Sequence, residues 1–318
     1  MAGHKKGRSV RKREDKLMAR LSIHHVTTYS YARPVTFGPH HWMFRPRDTH
    51  DLRLLRMTID IRPQPELRWY HDVFGNSIAI ARFPDAASEL RFESRIELEH
   101  YGVELDAFPV DDEAQNLPFV YPTLEQPDLA RTIERHYPDP EGEVADWARG
   151  FLGEQGSGDT SEVLGAMTQT IRQDFRYQAR DEHGVQTPTE TLALGSGSCR
   201  DFAVFLMEAA RSLGLAARFV TGYLYDPALD GAAGQAMRGA GTTHAWAQVY
   251  LPGAGWIELD PTNGIVGSAN LFRIGVGRTP EQAVPLRGTF EGYPGDYLGM
   301  NVEVTVSDIT PAAPGGGA

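Results

Sequence analysis

The chain has little cysteine and no long apolar run. Its 318 residues contain a single cysteine, Cys199, so no internal disulfide can form and the fold must be stabilised by packing, as is usual in a reducing compartment. No stretch approaches the roughly 20 consecutive apolar residues that span a bilayer, and the first residues lack the apolar core of a secretion signal. These absences predict a cytoplasmic protein that does not act in a membrane.

The body of the chain also lacks positive charge. The net charge is −11, but residues 1–20 hold eight Lys or Arg against two acidic residues, so this segment carries +6 and the remainder −17. An acidic body is unsuited to a polyanion, so we expect no nucleic-acid partner. We expect residues 1–20 to be a basic disordered tail, and Met18 leaves open an alternative start that would remove most of it.

No metal-binding motif stands out. The only candidate cluster is a set of histidines in the N-terminal half, namely His24, His25, His40, His41, His50 and His71. A zinc site needs three or four converging ligands, and adjacent histidines on a strand point to opposite faces. A metalloprotein is therefore the less favoured alternative. Because no calcium-binding loop is present either, we expect no metal and no other cofactor.

A chain of this length predicts two domains, and the first is β-like. Short runs bounded by Pro, Gly, Asn and Asp predict strands at 23–31, 52–61, 78–83 and 90–99, with a turn at 72–77. Several strands at this spacing indicate a β-sandwich or a strongly bent sheet. We assign residues 21–105 to this domain, in which no catalytic group stands out.

The remainder combines helices with strands. Prolines recur through residues 106–159, which we interpret as a connecting region with short helices at 127–136 and 143–152. In residues 160–275, helical patterns precede strand patterns at 217–225, 244–251 and 256–259. This order indicates an α+β core. Residues 276–318 are interpreted as a C-terminal extension with a last strand at 297–306 and a disordered tail.

The only cysteine begins a capped helix. Ser198 is placed to be the N-cap and Asp201 lies at the third helical position, which is typical of a capping box, while Gly214 is suited to end the helix. Cys199 then occupies the first helical position, where unpaired N–H groups and the helix dipole favour a thiolate. The same N–H groups can hold the oxyanion of a tetrahedral intermediate. This position predicts a nucleophile for acyl transfer.

A histidine and an aspartate follow on one predicted hairpin. His244 opens a strand after a loop of small residues, and Asp260 lies sixteen residues later at the end of the partner strand. They suit a base for the thiol and a group that orients the base. Because side chains alternate along strands, the two share a face only if even-numbered residues pair with even. A regular four-residue loop at 252–255 would separate them, so we predict a loop of odd length or a bulge.

Four segments carry a resemblance to a known family. They are Gly-Ser-Gly-Ser-Cys-Arg-Asp-Phe-Ala at 195–203, Arg-Ser-Leu-Gly-Leu-Ala-Ala-Arg-Phe-Val-Thr-Gly-Tyr at 211–223, Thr-His-Ala-Trp-Ala-Gln-Val-Tyr-Leu-Pro at 243–252 and Gly-Trp-Ile-Glu-Leu-Asp-Pro-Thr-Asn-Gly at 255–264. The chain resembles the transglutaminase-like superfamily, specifically the bacterial transglutaminase-like cysteine proteins with an N-terminal β domain. Phe-Arg-Pro-Arg at 44–47 and Asp-Val-Phe-Gly-Asn at 72–76 resemble that domain, so the likeness covers about residues 21–290.

This resemblance implies both a fold and a reaction. The fold is a papain-like α+β core, in which the cysteine helix packs on an antiparallel sheet, preceded by a β-sandwich-like domain. The reaction is thiol-mediated acyl transfer on amide bonds of a peptide or protein substrate, with Cys199 as nucleophile, His244 as base and Asp260 as its orienter. Peptide or isopeptide hydrolysis is favoured. Transfer of a γ-glutamyl group to an amine, as in a transglutaminase, begins with the same thioester and stays open.

Three further residues are candidates for the substrate cleft. Tyr177 is a candidate second oxyanion donor, and Ser198 and Trp246 are candidates to assist the oxyanion or to line the cleft. Residues 276–285 depart from the family pattern by losing its aspartates, which leaves the role of that segment open. The alternative from another class is a non-catalytic binding or scaffold protein that retains the fold, but all three triad residues are present. The sequence does not specify the oligomeric state.

Overall fold

The computed structural model describes residues 19–101, 109–180, 184–230, 237–238 and 241–311. The predicted basic tail lies outside the described residues up to Met18, and the first strand already begins at Ala19, within the span assigned to that tail. The C-terminal tail lies outside them from residue 312.

The elements follow one another in this order. The N-terminal half contains β1 (Ala19–Phe37), β2 (His40–Arg45), β3 (Leu52–Arg62), β4 (Glu66–His71), β5 (Ser77–Arg82) and β6 (Ala87–His100). The middle contains β7 (Asn116–Leu117), α1 (Gln126–Ile133), α2 (Glu143–Arg149), β8 (Gly158–Asp159), α3 (Thr160–Asp174), β9 (Arg176–Tyr177), α4 (Pro188–Leu194), β10 (Ser196–Gly197) and α5 (Cys199–Ser212). The last part contains β11 (Ala217–Leu224), β12 (His244–Leu251), β13 (Gly255–Asp260), β14 (Ile265–Val266), β15 (Leu271–Gly277), β16 (Leu286–Arg287), β17 (Phe290–Glu291) and β18 (Tyr297–Asp308).

Two sheets enclose the core of the N-terminal half. In one, β1 pairs with β6 and β6 with β3; the other has the order β16-β2-β5-β4. Apolar side chains at alternate positions point inward, so that Ile23 and Phe92 of the first sheet share a buried core with Trp42 and Phe44 of the second. This two-layer packing confirms the β-sandwich-like domain that the sequence predicted.

The C-terminal strand completes the first of these sheets. β18 pairs antiparallel with β1, from Leu21 opposite Asp308 to Tyr29 opposite Met300. A last strand was predicted from the sequence, but its partner was not. The C-terminal extension is therefore an integral part of the N-terminal sheet.

The second half is built around α5. This helix packs on an antiparallel sheet of order β14-β13-β12-β11-β15. Phe202 and Phe205 on the helix and Ala245 and Ala247 on β12 lie in the same buried cluster. Small residues on the strand let the large helical side chains approach closely. The arrangement confirms the predicted α+β core with the cysteine helix on an antiparallel sheet.

Helices that precede α5 cover the rest of its surface. α2 lies in the region interpreted as a connector, yet its Val144 and Ala148 are fully buried, and the Trp147 and Phe205 rings lie 4.7 Å apart. Residues 143–149 are thus packed into the core. None of the helices in the described ranges is long and apolar enough to cross a membrane.

The two halves are joined through β15. This strand, which sequence patterns missed, pairs with β11 and crosses the boundary expected after residue 275. Its Phe272 and Ile274 contribute to the core of the N-terminal half. The predicted turn at 72–77 docks on it as well: the Asn76 amide donates to Val276 O at 2.7 Å and accepts from Val276 N at 2.9 Å.

Candidate active site

Cys199 occupies the first position of α5, as predicted. Ser198 is the N-cap with an extended backbone, and the helix runs to Ser212 before Gly214, whose φ of +84° suits the left-handed turn that ends it. The first N–H groups of a helix have no intrahelical acceptor. The Cys199 side chain, in a residue only 9% exposed, therefore lies beside the positive end of the helix dipole.

Asp201 organises the turn that precedes the cysteine. Its fully buried carboxylate accepts hydrogen bonds at 2.8 Å from both the backbone N–H and the hydroxyl of Ser198. The expectation that Ser198 assists an oxyanion or lines the cleft needs correcting, because its two donors already serve Asp201 and the residue is buried. Ser198 caps the helix and presents the next residue.

The hairpin that carries His244 and Asp260 has the register predicted for a shared face. Gln248 pairs with Glu258 and Leu251 with Gly255, so three residues form the loop and even-numbered residues pair with even. His244 and Asp260 therefore point to the same side. Their side chains meet, with His244 Nε2 at 2.8 Å from Asp260 Oδ2, and both are fully buried.

The aspartate is held by more than the histidine. Asp260 Oδ1 accepts from Thr262 N at 2.9 Å, and Oδ2 also accepts from the Asn263 amide at 2.9 Å. Burial acts to raise the pKa of Asp260, but His244 and these two donors outweigh it and lower the pKa below its usual value. Asp260 is therefore an anion that fixes the orientation of the ring.

The second ring nitrogen of His244 is left for the thiol. Nδ1 is buried and has no nitrogen or oxygen partner among the described residues, while the Cys199 side chain lies close enough to interact with the ring. Burial acts to lower the pKa of His244, but Asp260 and then the neighbouring Cys199 raise it to about 10. Such an imidazole holds its proton and stabilises a thiolate beside it.

His244 lies near Cys199 at the start of β12. Ala245, Ala247 and Val249 of β12 fill the interface between the sheet and α5, so the even-numbered His244 faces the other side of the strand. His244 is the first residue of β12 and Cys199 the first residue of α5, and the two side chains interact at these ends.

Tyr177 lies in the strand next to the cysteine turn. β9 runs parallel to β10, with Tyr177 opposite Gly197, and Gln178 N donates to Gly197 O at 2.9 Å. Burial first, and then the nearby Cys199, raise the pKa of Tyr177 to about 12. The hydroxyl therefore stays protonated and can donate a hydrogen bond near the thiol.

Trp246 has a different place from the one expected. It is fully buried, its ring stacks against His244 at 5.9 Å, and its Nε1 donates to the Glu258 carboxylate. A side chain with no exposed surface does not line a cleft, so this expectation is corrected. Trp246 packs against the His244 ring.

Two residues near the site were missed by the sequence reasoning. Asn263 holds Asp260 and also pairs with the backbone of Arg238, accepting from its N–H at 2.9 Å and donating to its carbonyl at 3.2 Å. Its place in the turn after Asp260 was a usable signal, because Asn side chains often bond nearby backbone groups. Arg180, which contacts Asp201, lies in a segment with no local motif.

The described residues contain no group of three or more His, Cys, Asp or Glu side chains that could hold a metal ion. Among the candidate histidines, His25 bonds Tyr223 and Thr27, and His40 bonds the Gly38 carbonyl. These contacts hold the two side chains within the sandwich.

Comparisons with known proteins agree with this architecture. Residues 21–99 match the model of the bacterial transglutaminase-like N-terminal region, and residues 146–261 match that of the transglutaminase-like superfamily. An uncharacterized protein of Mycobacterium leprae is 36% identical over 109 residues, which are 34% of this chain and 37% of that protein. An uncharacterized protein of Mycobacterium tuberculosis H37Rv is 36% identical over 132 residues, which are 40% of this chain and 41% of that protein. The chain thus matches only about two fifths of the length of these relatives.

A solved structure shares the whole fold. The crystal structure of a Cytophaga hutchinsonii protein, provisionally named a cysteine protease, superposes with a TM-score of 0.66 at 18% identity and covers 92% of this chain and 93% of that one. With an N-terminal β region, a cysteine helix on an antiparallel sheet and both family models matched, the chain belongs to the bacterial branch of the transglutaminase-like superfamily.

Proposed function

We propose that the protein is a cysteine enzyme that cleaves amide bonds of a peptide or protein through a thioester on Cys199. The observation that carries the proposal is the fully buried His244–Asp260 pair, joined at 2.8 Å, in which His244 also interacts with Cys199, the first residue of a helix. Nucleophile, base and orienter are then present together.

The chemistry follows from the roles of these groups. The Cys199 sulfur attacks the amide carbonyl and forms a C–S bond, while protonated His244 Nδ1 gives its proton to the departing amine as the C–N bond breaks. Asp260 keeps the ring oriented and stabilises its charge. The N–H groups of the first turn of α5 hold the oxyanion, and Tyr177 is the proposed second donor.

Water is the proposed acceptor of the acyl group. His244, neutral after protonating the amine, takes a proton from water as the water attacks the thioester, and the sulfur leaves as thiolate. Water is far more concentrated than any amine, so a thioester is hydrolysed unless the site excludes it. Hydrolysis is therefore proposed ahead of transfer to an amine.

The test of thioester formation uses an activated acyl donor. An aryl acetate is added to the wild-type protein, to Cys199→Ala and to His244→Gln, and intact mass is followed on the time scale of seconds. We expect one acetyl group to appear rapidly on Cys199 of the wild-type protein, slowly on His244→Gln, and not on Cys199→Ala. Equal acetylation rates for the wild type and His244→Gln would contradict the proposal, because Cys199 would then react as an ordinary thiol that His244 does not activate.

The acceptor is identified with peptides. A mixture of glutamine-containing and ordinary peptides is incubated with the wild type and Cys199→Ala, with and without a primary amine, and analysed by mass spectrometry. Shortened peptides that require Cys199 support hydrolysis, whereas peptides carrying the amine indicate transfer. If thioester formation fails in the first experiment as well, the non-catalytic scaffold interpretation takes its place.

A further inference from the structure

An arginine and an aspartate form an ion pair next to the cysteine turn. Nη1 of Arg180 lies 2.9 Å from Asp201 Oδ1 and 3.0 Å from Oδ2. The Asp201 side chain is fully buried, and that of Arg180 is 19% exposed. The pair is thus largely shielded from water. Two charges in such a buried place act on one another more strongly than they would at the surface.

The position of Asp201 makes its charge important for the thiol. It is the third residue of α5 and lies in the same first turn as Cys199. A carboxylate there helps to cap the helix through Ser198, but its negative charge opposes a thiolate in the same turn. A nearby cation removes that conflict because it offsets the carboxylate without displacing the cap.

The segment that carries Arg180 is fastened across this turn by other bonds. Gln186 N donates to Asp201 Oδ1 at 2.7 Å, and the Arg180 carbonyl accepts from Arg200 Nη2 at 3.0 Å. The same segment begins with Tyr177 beside Gly197. The ion pair therefore lies among the contacts that residues 177–180 and Gln186 make with the start of α5.

Resting on the proposed function, we propose that Arg180 is a positioning residue of the thiol site. Its guanidinium offsets the Asp201 charge, so that the first turn of α5 favours a thiolate at Cys199 while Asp201 still caps the helix. It also holds the segment that carries Tyr177 against that turn.

Several other charged or titratable groups lie around the thiol and its partners. Tyr177 on β9 and His244 on β12 interact with Cys199 itself. Asp260, Arg200 and Arg238 act on Tyr177, and Glu190 on α4 faces the Arg180–Asp201 pair. All of these are left unchanged when Arg180 alone is altered. The effect of its charge can therefore be measured separately.

The experiment measures the rate at which iodoacetamide alkylates Cys199 as a function of pH, in the full-length chain. Arg180→Gln leaves Asp201 without its counter-charge, and we expect the midpoint of the profile to rise by about 1 pH unit. Asp201→Asn removes a negative charge from the first turn of α5, and we expect the midpoint to fall. The double variant should return close to the wild type, because neither charge remains.

A matched control exists on the same helix. Arg211 and Glu208 form another buried ion pair of α5, at 2.7 Å, in its C-terminal half. Arg211→Gln also removes a buried arginine and should reduce stability, yet we expect it to leave the alkylation midpoint unchanged. Arg180→Lys keeps the charge and should lie near the wild type. If Arg180→Gln does not fold, Arg180→Met, which also removes the charge, replaces it in the comparison.

Opposite shifts for the Arg180 and Asp201 variants support the proposal. Shifts in the same direction would overturn it, because local disorder caused by a substitution does not depend on the sign of the charge removed. No shift, or an equal shift in Arg211→Gln, would overturn it as well. The result is separate from the proposed function. A wild-type midpoint equal to that of an ordinary thiol counts against the nucleophile, whereas the direction of the shifts tests Arg180 alone.

Discussion

The two ring nitrogens of His244 have different partners. His244 bonds Asp260 through Nε2, so only Nδ1 can serve the thiol. Three residue types in the order Cys, His and Asp were sufficient to identify the candidates, because the chain has one cysteine. The sequence could not show which nitrogen faces which partner. That depends on the orientation of the His244 ring, which Asp260 and the stacked Trp246 ring determine.

The raised pKa of His244 predicts a pH-dependent stability. Its value of about 10 in the folded protein lies above the ordinary 6.5, so its stabilising effect is complete below pH 6.5 and is lost as the pH rises through about 10. We therefore expect the free energy of unfolding to fall with rising pH more steeply for the wild type than for His244→Gln. The difference in slope should be at most about 1.4 kcal/mol per pH unit, as measured by urea titrations between pH 6.5 and about 10. His24→Gln, at a surface histidine bonded to Glu93, is the control and should follow the wild type. Equal slopes for the wild type and His244→Gln would show that the pair does not hold a proton.

At the scale of elements, the start of α5 depends on a close approach by Gly197. A Cβ at this position would lie 2.8 Å from Asp201 Cβ and 3.0 Å from Gln186 Oε1. Asp201 holds the N-cap residue Ser198, and Gln186 Oε1 accepts a hydrogen bond from Thr191 of α4. The glycine is therefore needed for space, and it lets β10 lead directly into the capped turn.

Gly197→Ala should displace this turn. The added methyl would push Asp201 away from Ser198, and we expect aryl acetate turnover to fall by about tenfold or more, together with a loss of roughly 1–3 kcal/mol in stability. Gly165→Ala is the matched control: it lies in α3 and a Cβ there meets nothing within 4 Å. It should keep activity and gain about 0.5–1 kcal/mol from helix propensity. Unchanged turnover in Gly197→Ala would mean that the tight packing of this turn is not required.

The elements that were predicted have regular patterns, whereas exposure or glycine obscured some of those that were missed, among them β4 and β15. β1, β6 and α5 were found because apolar residues recur on one face or a cap marks the start. β4 was missed, since its residues are mostly exposed. β15 was missed because glycines interrupt it; a Cβ at Gly275 would lie 2.7 Å from Met43 Sδ, a contact invisible in the sequence.

At the scale of the molecule, the two halves form one structure through contacts between distant segments. β18 adds to the N-terminal sheet, and its Val304 N donates at 3.1 Å to the carbonyl of Gly241, three residues before His244. The fold class of each half followed from local patterns. The docking of the halves did not, because pairing between segments this far apart leaves no signal in one sequence.

Asn76 gives the clearest test of this docking. It is 3% exposed and satisfies both backbone groups of Val276, so Asn76→Ala leaves a buried N–H and a buried carbonyl without partners. We expect a loss of roughly 2–4 kcal/mol in the free energy of unfolding, measured with urea. Asn301→Ala, which removes an exposed bond to Glu303, should change it by no more than about 0.5 kcal/mol. A similar small loss for Asn76→Ala would mean that the turn does not join the halves.

The most direct test of the central claim is the rate at which iodoacetamide alkylates Cys199 at neutral pH in the wild type and in His244→Gln. An ordinary thiol is mostly protonated under these conditions. We expect the wild type to react at least about tenfold faster than His244→Gln, because the protonated imidazole stabilises the thiolate. Equal rates for the two proteins, both close to that of a small free thiol, would contradict the assignment of Cys199 and His244 as nucleophile and base.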